Sequence, residues 1–296
     1  MTGKADTEGR QAFLKINLTL HVGAARPDGY HPLTSLCVFA AGGDRVRLGA
    51  RVADFDLVVT GPEAAALANT PAEANLILRA ARLLASRTQL APRRLHLDKR
   101  VPVAGGVAGG TADAAAALVL LNEAAARPLP RAALIRLSRD LGADGPVCTA
   151  AQLTGGGAWS VSGDGDRVRR VPGPAPLHVV LANPRVPVST GAVFRAFDAG
   201  PPGMLTQPQV DLRSVPGMLR SVRRGRNDLQ PHAERIAPVI ASLQAALVRS
   251  PGCLAARMSG SGATVFGLFP GREGAARAAR RLRAGGHWTL AAPLAR

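Results

Sequence analysis

The sequence is poor in aromatic residues, in cysteine and in long apolar runs, and each shortage argues against a class of protein. Phe, Trp and Tyr make up 3% of the 296 residues, whereas proteins that bind single-stranded nucleic acid usually stack bases on aromatic rings. The three cysteines lack the C-x-x-C spacing of a structural zinc site. The longest purely apolar run, 114–121, is far shorter than the roughly 20 residues of a membrane-spanning helix. We therefore expect a reduced, cytoplasmic protein without a membrane partner.

Acidic residues are also few, 20 against 37 lysines and arginines, and the formal net charge is +17. A positive field of this size attracts nucleic acids, acidic surfaces or small phosphorylated ligands. Only three of the basic residues are lysines, so biased codon usage is an alternative source of the charge. Because aromatic residues are scarce, we expect phosphorylated small molecules rather than nucleic acid as partners.

Hydrophobic periodicity predicts strands and helices that mix without strict alternation. Residues 12–22 alternate like a half-buried strand, residues 75–86 have helical periodicity with Asn75 as N-cap, and a helix over 131–141 is expected to end at Gly142. Other strands are predicted at 33–39, 45–48, 54–59, 95–97, 159–162, 177–181 and 264–269, other helices at 111–125, 231–249 and 273–283, and a loop at 201–217. This mixture predicts an α+β fold with two lobes that meet near residue 155.

The strongest chemical signal is the glycine-rich segment 104–110, which is followed directly by the predicted helix. Glycines let successive backbone N–H groups point inward, and a helix N-terminus adds partial positive charge, so the segment is typical of an anion cradle. No Gly-Lys-Ser/Thr follows and G-x-G-x-x-G does not fit, which excludes a Walker loop and the dinucleotide fingerprint. A tight strand–helix turn is the alternative, but four glycines within 105–110 favour phosphate binding.

A second loop and two charged residues add to this hypothesis. Ser259, Gly260, Ser261 and Gly262 precede a predicted strand, a weak signal on its own. Asp144 lies in an apolar stretch after a predicted helix, and Lys15 lies within the first long strand. A Lys–Asp pair beside a phosphate cradle suits phosphoryl transfer. The alternative, an edge lysine in water and an aspartate that forms a turn, remains open on spacing alone.

Four segments in chain order resemble the GHMP kinases, which are small-molecule kinases. They are the strand with Lys15, the loop at 102–113, Leu-Gly-Ala-Asp at 141–144 and Ser-Gly-Ser-Gly-Ala at 259–263. The segment AFLKINLTLHV with the following RPDGYHPLTSL is similar to the members whose substrate carries a diphosphocytidyl group, and LDKRVPVAGG and RNDL extend the resemblance over nearly the whole chain. The resemblance implies a ribosomal-protein-S5-like N-terminal domain over 11–156 and a ferredoxin-like C-terminal domain over 157–296.

The resemblance also implies roles for individual residues. Asp144 corresponds to the catalytic base, Lys15 to the lysine beside it, and Asn17 to a residue that positions the acceptor. The implied reaction is transfer of phosphate from ATP, with Mg²⁺, to the 2-hydroxyl of a methylerythritol in the non-mevalonate isoprenoid pathway. The chain is expected to be a monomer or homodimer.

Binding residues are implied in the same way. Tyr30 and His31 correspond to the pair that recognises cytidine, by packing and by hydrogen bonds, and Phe194 to the aromatic residue on the other face of cytosine. For Tyr30-His31 the alternative is a turn whose aromatic ring packs on the core beside a solvated histidine. The residues implied in ATP binding are Asn75, Lys99, Pro102, Val103, Ala104, Gly105, Gly106, Val107, Ala108, Gly109, Gly110, Thr111, Gly260 and Ser261.

The glycine-rich loop departs from the best-known form of the family. Ala104 and Ala108 replace glycines, so both positions must tolerate a Cβ atom, and Asp113 replaces a familiar asparagine. A carboxylate beside a phosphate loop repels the ligand unless it faces Mg²⁺ or solvent, so no metal ligand is assigned. Two alternatives remain, another GHMP kinase of homoserine or mevalonate type and a non-catalytic nucleic-acid-binding protein on the same scaffold.

Overall fold

The computed structural model describes residues 9–103, 105–201, 203–206 and 210–296. The chain forms two compact units, each built from separate segments. The first contains the chain up to Leu14, Gly43–Val103 and Ala108–Gly155, and the second contains Lys15–Gly42, Ala104–Val107 and Gly156–Arg296. Because these units interleave along the chain, the division of the sequence into 11–156 and 157–296 stays a prediction.

The described strands and helices confirm the mixed α+β character that the periodicity predicts. In chain order the strands are β1 (Arg10–Gln11), β2 (Leu14–Val22), β3 (Leu33–Ala40), β4 (Arg45–Arg51), β5 (Asp56–Thr60), β6 (Arg93–Asp98), β7 (Ala158–Gly163), β8 (Arg167–Val171), β9 (His178–Asn183), β10 (Ala255–Met258), β11 (Val265–Phe269) and β12 (Trp288–Pro293). The α-helices are α1 (Leu76–Ala85), α2 (Gly109–Ala124), α3 (Arg131–Leu137), α4 (Gly145–Thr154), α5 (Thr190–Asp198), α6 (Val215–Arg224), α7 (Gln230–Ile236), α8 (Val239–Val248) and α9 (Arg272–Ala284). Short 3₁₀ helices lie at Ala64–Leu67 and Ser138–Leu141.

The first unit packs helices on a four-stranded sheet of order β1-β4-β6-β5. β4 runs antiparallel to β6, and β5 runs parallel to it. Helix α2 packs against α1, α4 and β4, and every residue from 112 to 119 is buried. A helix that is apolar on all sides belongs in a core, and the run of alanines lets its neighbours approach closely. The start of α2, where the glycine-rich loop ends, is therefore fixed to a rigid element.

The second unit contains two four-stranded sheets. One has the order β2-β3-β7-β8 and the other β10-β11-β9-β12. In the latter every pair is antiparallel, and α8 and α9 pack against it. Counting its strands along the chain, the spatial order is fourth, first, third, second, which is the ferredoxin-like order of a β-α-β-β-α-β unit. The predicted ferredoxin-like C-terminal fold is confirmed.

Strand β2 differs from the expected half-buried strand. Every residue from Leu14 to Val22 is buried, so the prediction of one solvated face is wrong. The apolar residues point to one side and Lys15, Asn17, Thr19 and His21 to the other. Water does not cover the polar side, and these four side chains need partners within the protein.

Several helices also differ from the sequence predictions. The helix predicted over 131–141 changes to 3₁₀ geometry at Ser138, and the one predicted over 231–249 is two helices separated at Ala237 and Pro238. The predicted loop 201–217 ends earlier, because α6 begins at Val215. Helices α4, α5 and α6 were not predicted. Among the described residues no helix is both long and apolar enough to cross a membrane.

Candidate active site

The residues implied in catalysis and binding belong to both compact units. Asp144, Asn75, Lys99, Pro102, Val103 and residues 108–111 lie in the first unit, and Lys15, Asn17, Tyr30, His31, Phe194, residues 105–107, Gly260 and Ser261 lie in the second. Ala104 lies outside the described residues.

The two glycine-rich loops meet within the second unit. The backbone N–H of Thr264 donates to the carbonyl of Gly105 over 3.1 Å. A Cβ atom added to Gly106 would lie 2.5 Å from the carbonyl oxygen of Gly262 and 2.7 Å from that of Ser259. Gly106 also has φ +73°, so two backbone constraints require glycine there. The sequence predicted each loop separately, and the structure brings the two together.

Helix α2 begins directly after the first glycine loop, as an anion site requires. Ala108 is its N-cap in the left-handed region at φ 52° and ψ 35°, without a side-chain capping bond. Gly109, Gly110 and Thr111 form the first turn, whose N–H groups have no partner within the helix. Thr111 is half-buried and Gly110 is exposed. The loop therefore ends at a helix N-terminus that can receive phosphate.

A buried charge cluster lies beneath this helix start. The Lys99 ammonium, 2% exposed, is 2.5 Å from an Asp44 carboxylate oxygen and 2.9 Å from Oδ2 of Asp113. Asp44 also accepts the backbone N–H groups of Arg100 and Val101. A Cβ atom on Gly109 would lie 3.7 Å from Lys99 Nζ. The cluster therefore joins the segment before the phosphate loop to the helix after it.

The two carboxyl groups of this cluster differ in their hydrogen bonding. Asp113 is 2% exposed, and its Oδ1 has no hydrogen-bond partner among the described residues. Burial raises the pKa of Asp113 to about 8 against the opposing charge of Lys99, and the neighbouring charge of Asp44 adds to the rise. Burial lowers the pKa of Lys99, but Asp113 and Asp44 outweigh it and the net direction is upward. Asp113 is therefore shielded from solvent and bonded through Oδ2 to Lys99.

The chain offers few ligands for a divalent cation. Within the described ranges no group of three or more His, Cys, Asp and Glu side chains is placed to hold a metal ion. Asp113 is engaged with Lys99, whereas Thr111 carries a hydroxyl in the first turn of α2. Protein-bound Mg²⁺ usually keeps several waters and is held by substrate phosphates with one or two protein oxygens. The residues therefore fit a magnesium ion that arrives with a nucleotide.

Asp144 occupies the N-cap position of α4 at φ −83° and ψ −11°. It is half-buried, and its carbonyl accepts the N–H of Cys148 over 3.0 Å. From the sequence Asp144 was expected only to follow the preceding helix, and the helix that it begins was not predicted. The Asp144 side chain therefore lies at the N-terminal end of α4 and is not fully enclosed.

Lys15 and Asn17 lie on the buried polar side of β2. Lys15 is 7% exposed, which excludes the alternative of an edge lysine in water. The backbone N–H of Asn17 donates to the Ser259 hydroxyl over 3.1 Å. Its Nδ2 donates to the Ser35 hydroxyl over 2.8 Å. This part of β2 is therefore bonded to the second glycine loop.

The segment implied in cytidine recognition forms a turn and an aromatic pair. The Tyr30 side chain does not pack on the core, because this residue is 65% exposed. His31 Nε2 is 2.6 Å from an Asp198 carboxylate oxygen, and its ring centroid is 4.9 Å from that of Phe194. Hydrogen bonds from the backbone N–H of Tyr30 and from the Arg26 guanidinium lower the pKa of Asp28. The Asp28 carboxylate that accepts these bonds holds the turn together. The structure thus places His31 beside Phe194, and it excludes a solvated histidine.

The remaining implied residues have mainly structural contacts. The Asn75 side chain accepts the N–H of Ile77 over 3.0 Å, so the predicted N-cap is confirmed. The Ser261 hydroxyl is 2.9 Å from that of Thr190. In the approach to the loop, Pro102 is half-buried and Val103 is 48% exposed.

Sequence reasoning missed the side chain that anchors the second loop. Asn227 donates to the carbonyls of Met258 and Gly260 over 3.0 and 2.9 Å, and its Oδ1 accepts the N–H of Leu229. The sequence indicated Asn227 only through the short motif RNDL at 226–229, and this motif alone does not predict a contact with the second loop. Asn227 holds Gly260 in position from a distant part of the chain.

Comparison with protein families finds two matches. The model described as GHMP kinases N terminal domain matches residues 75–156, and that described as GHMP kinases C terminal matches residues 213–287. The first match contains the first glycine-rich loop and Asp144, and the second contains both Asn227 and the second glycine loop.

Similar proteins extend over nearly the whole chain. The 4-diphosphocytidyl-2-C-methyl-D-erythritol kinase of Cereibacter sphaeroides is 45% identical over 288 residues, which are 96% of this chain and 98% of the relative. A crystal structure of 4-(cytidine 5'-diphospho)-2C-methyl-D-erythritol kinase is 30% identical with a TM-score of 0.75, covering 98% of this chain and all of that one. A homoserine kinase from Cytophaga hutchinsonii, at 16% identity and a TM-score of 0.65 over 100% of this chain and 98% of its own, shares the fold.

Proposed function

Because this chain belongs to the family of 4-diphosphocytidyl-2-C-methyl-D-erythritol kinases within the GHMP kinases, we propose that it phosphorylates the 2-hydroxyl of 4-diphosphocytidyl-2-C-methyl-D-erythritol. The phosphate donor is ATP, and the product is an intermediate of the non-mevalonate isoprenoid pathway. The observation that carries the proposal is the 45% identity over 96% of the chain. Both substrates are anionic, which gives the net charge of +17 a use in attracting them.

In the proposed reaction Asp144 accepts the proton of the 2-hydroxyl. That oxygen attacks the γ-phosphorus of ATP in line, the bond from phosphorus to the β–γ bridging oxygen breaks, and ADP leaves. The position of Asp144 at the N-terminal end of α4, half-buried rather than enclosed, supports this role. Lys15 offsets the developing negative charge, and Asn17 positions the acceptor. No covalent phosphoenzyme is needed.

The nucleotide phosphates are proposed to bind the glycine-rich loop over 102–111 and the N-terminus of α2. Backbone N–H groups of the loop stabilise the charge that develops during transfer. Gly260 and Ser261 contribute from the second loop, and Asn75 from the start of α1. Lys99 is proposed to act by holding α2, since its ammonium is bonded to two carboxyl groups.

A magnesium ion supplies charge neutralisation on the phosphates when it is bound with ATP. Thr111 is the residue of the chain that we propose as its neighbour, since its hydroxyl lies in the first turn of α2. Asp113 is left out of this role because it is buried against Lys99.

The cytidine group is proposed to bind at Tyr30, His31 and Phe194. An exposed tyrosine and a half-buried phenylalanine beside a histidine provide the aromatic surfaces and polar atoms that a nucleobase requires. The expected partners are small molecules in the cytoplasm, without nucleic acid, and the chain is expected to act as a monomer or homodimer.

A coupled ADP-release assay tests this function. Purified protein is mixed with Mg-ATP and 4-diphosphocytidyl-2-C-methyl-D-erythritol, with homoserine and mevalonate as control acceptors. Turnover with the cytidyl substrate alone is expected. Turnover only with a control acceptor would indicate a GHMP kinase of different specificity. Absence of turnover with all three acceptors would favour the non-catalytic alternative.

A further inference from the structure

The Asn17 side chain presents a buried acceptor without a partner. Asn17 is 3% exposed, yet its Oδ1 accepts no hydrogen bond from any described residue. A Cβ atom on Gly260 would lie 3.6 Å from this oxygen, so Oδ1 lies close to the second glycine loop. Buried polar atoms are normally paired, and an orphaned acceptor close to a candidate active site indicates a ligand that brings the donor.

The orientation of this amide follows from the hydrogen bonds of Ser35. Its hydroxyl has one hydrogen, which it donates to the carbonyl of Thr19 over 2.6 Å. The Ser35 oxygen can therefore only accept from Asn17, and Nδ2 supplies that bond over 2.8 Å. A flipped amide would place Oδ1 against the Ser35 lone pairs. The network thus fixes Nδ2 toward Ser35 and leaves Oδ1 for another partner.

The surroundings make this network rigid. Ser35 and Cys37 are each 1% exposed and Thr19 is fully buried, so water does not compete for the bonds. Nδ2 of Asn17 also lies 3.5 Å from Cys37 Sγ, and the Thr19 hydroxyl accepts the N–H of Leu36 over 3.1 Å. The amide is therefore held by neighbouring strands β2 and β3 before any substrate binds.

We propose that Ser35 is a positioning residue that orients the Asn17 amide so that Oδ1 accepts a hydrogen bond from a hydroxyl of the acceptor substrate. An amide oxygen accepts from a hydroxyl but repels an ionised phosphate oxygen, which has no hydrogen to donate. The network therefore favours a hydroxyl group of the bound ligand over its phosphate oxygens. This inference rests on the proposed function and deepens it.

Steady-state kinetics of Ser35→Ala test the proposal. We expect kcat/KM for the cytidyl acceptor to fall about tenfold, equivalent to one lost hydrogen bond, while KM for ATP is unchanged. Ser35→Thr retains the hydroxyl and is expected to restore most of the loss. Thr34→Val is the matched control, because Thr34 is also buried and points to the opposite face of β3. It is expected to leave both constants unchanged.

A double-mutant cycle separates positioning from a general structural role. If Ser35 acts through Asn17, Ser35→Ala has no further effect on kcat/KM in the Asn17→Ala background. Additive losses of kcat/KM in the double variant would overturn the proposal. So would a rise in KM for ATP in Ser35→Ala as large as its loss of kcat/KM for the cytidyl acceptor. Should Ser35→Ala fold poorly, Ser35→Cys keeps the volume with a weaker acceptor and is expected to show the same selective loss.

The kinetics of wild type and Ser35→Ala together distinguish the role of Ser35 from the proposed kinase function. Turnover of the cytidyl substrate by the wild type with an unaffected Ser35→Ala variant would refute the positioning role and leave the function standing. Absence of wild-type turnover would remove the function, and the role of Ser35 with it.

Discussion

Replacing Asp113 by asparagine tests the buried charge cluster beneath the phosphate loop. The amide preserves the shape of the side chain and the oxygen that accepts from Lys99 over 2.9 Å. It removes the group that binds a proton. In the folded protein burial raises the pKa of Asp113 from its ordinary value of 3.8 to about 8. The variant should therefore fold and bind ATP, but the pH dependence of its stability should change.

The sign and size of this change follow from proton linkage. Between these two pKa values the folded state holds a proton that the unfolded state releases, so wild-type stability falls as pH rises toward about 8. One proton corresponds to at most about 1.4 kcal/mol per pH unit, and this is the upper limit for the slope that Asp113 contributes to the free energy of unfolding. Asp113→Asn does not have this loss, so its free energy of unfolding should increase relative to that of the wild type as the pH rises.

Urea denaturation at pH 5, 6 and 7, followed by circular dichroism, measures the effect. The free energy of unfolding of Asp113→Asn minus that of the wild type should increase over this range. Asp140→Asn is the control, because it removes an exposed carboxylate from the same compact unit. Parallel pH dependences of wild type and Asp113→Asn would refute a protonated Asp113 and the cluster as described.

Three further predictions concern the candidate site. Asp144→Asn should fold normally but lose about 10²–10⁴-fold in turnover, and full activity in the ADP-release assay would remove Asp144 as the base. Ala108→Gly should raise the free energy of unfolding by up to about 1 kcal/mol, because it relieves a left-handed alanine. Ala115→Gly in the same helix should lower the free energy of unfolding by about 1 kcal/mol or more. If urea denaturation showed the same loss for both variants, backbone strain at Ala108 would be contradicted. Asp198→Ala should raise KM for the cytidyl substrate about fivefold, as for one hydrogen bond of about 1 kcal/mol, with KM for ATP as the control. An unchanged KM for the cytidyl substrate would exclude a role for the Asp198–His31 pair.

The features predicted correctly have local causes. The Asn75 N-cap depends on the two residues that follow it, and the glycine-rich loop before α2 is visible as a composition shift of seven residues. The alternation in β2 was also read correctly, although both faces are buried. Local patterns reveal how a segment folds but not what covers it.

The features that were missed depend on distant partners. The hydrogen bonds of Asp113 depend on Lys99, and its pKa depends also on Asp44, so no local pattern indicates that this carboxyl pairs with a buried lysine. His31 meets an aspartate 167 positions away. Helix α4 was missed because Gly145-Pro146 resembles a turn, although proline is also favoured in the first turn of a helix.

The most direct test of the proposed function is ³¹P NMR of the reaction of purified protein with Mg-ATP and 4-diphosphocytidyl-2-C-methyl-D-erythritol. We predict a new phosphomonoester resonance that grows in step with ADP, while the diphosphate linkage of the substrate stays intact. Formation of ADP with free phosphate alone, or a phosphomonoester only with homoserine or mevalonate, would contradict it.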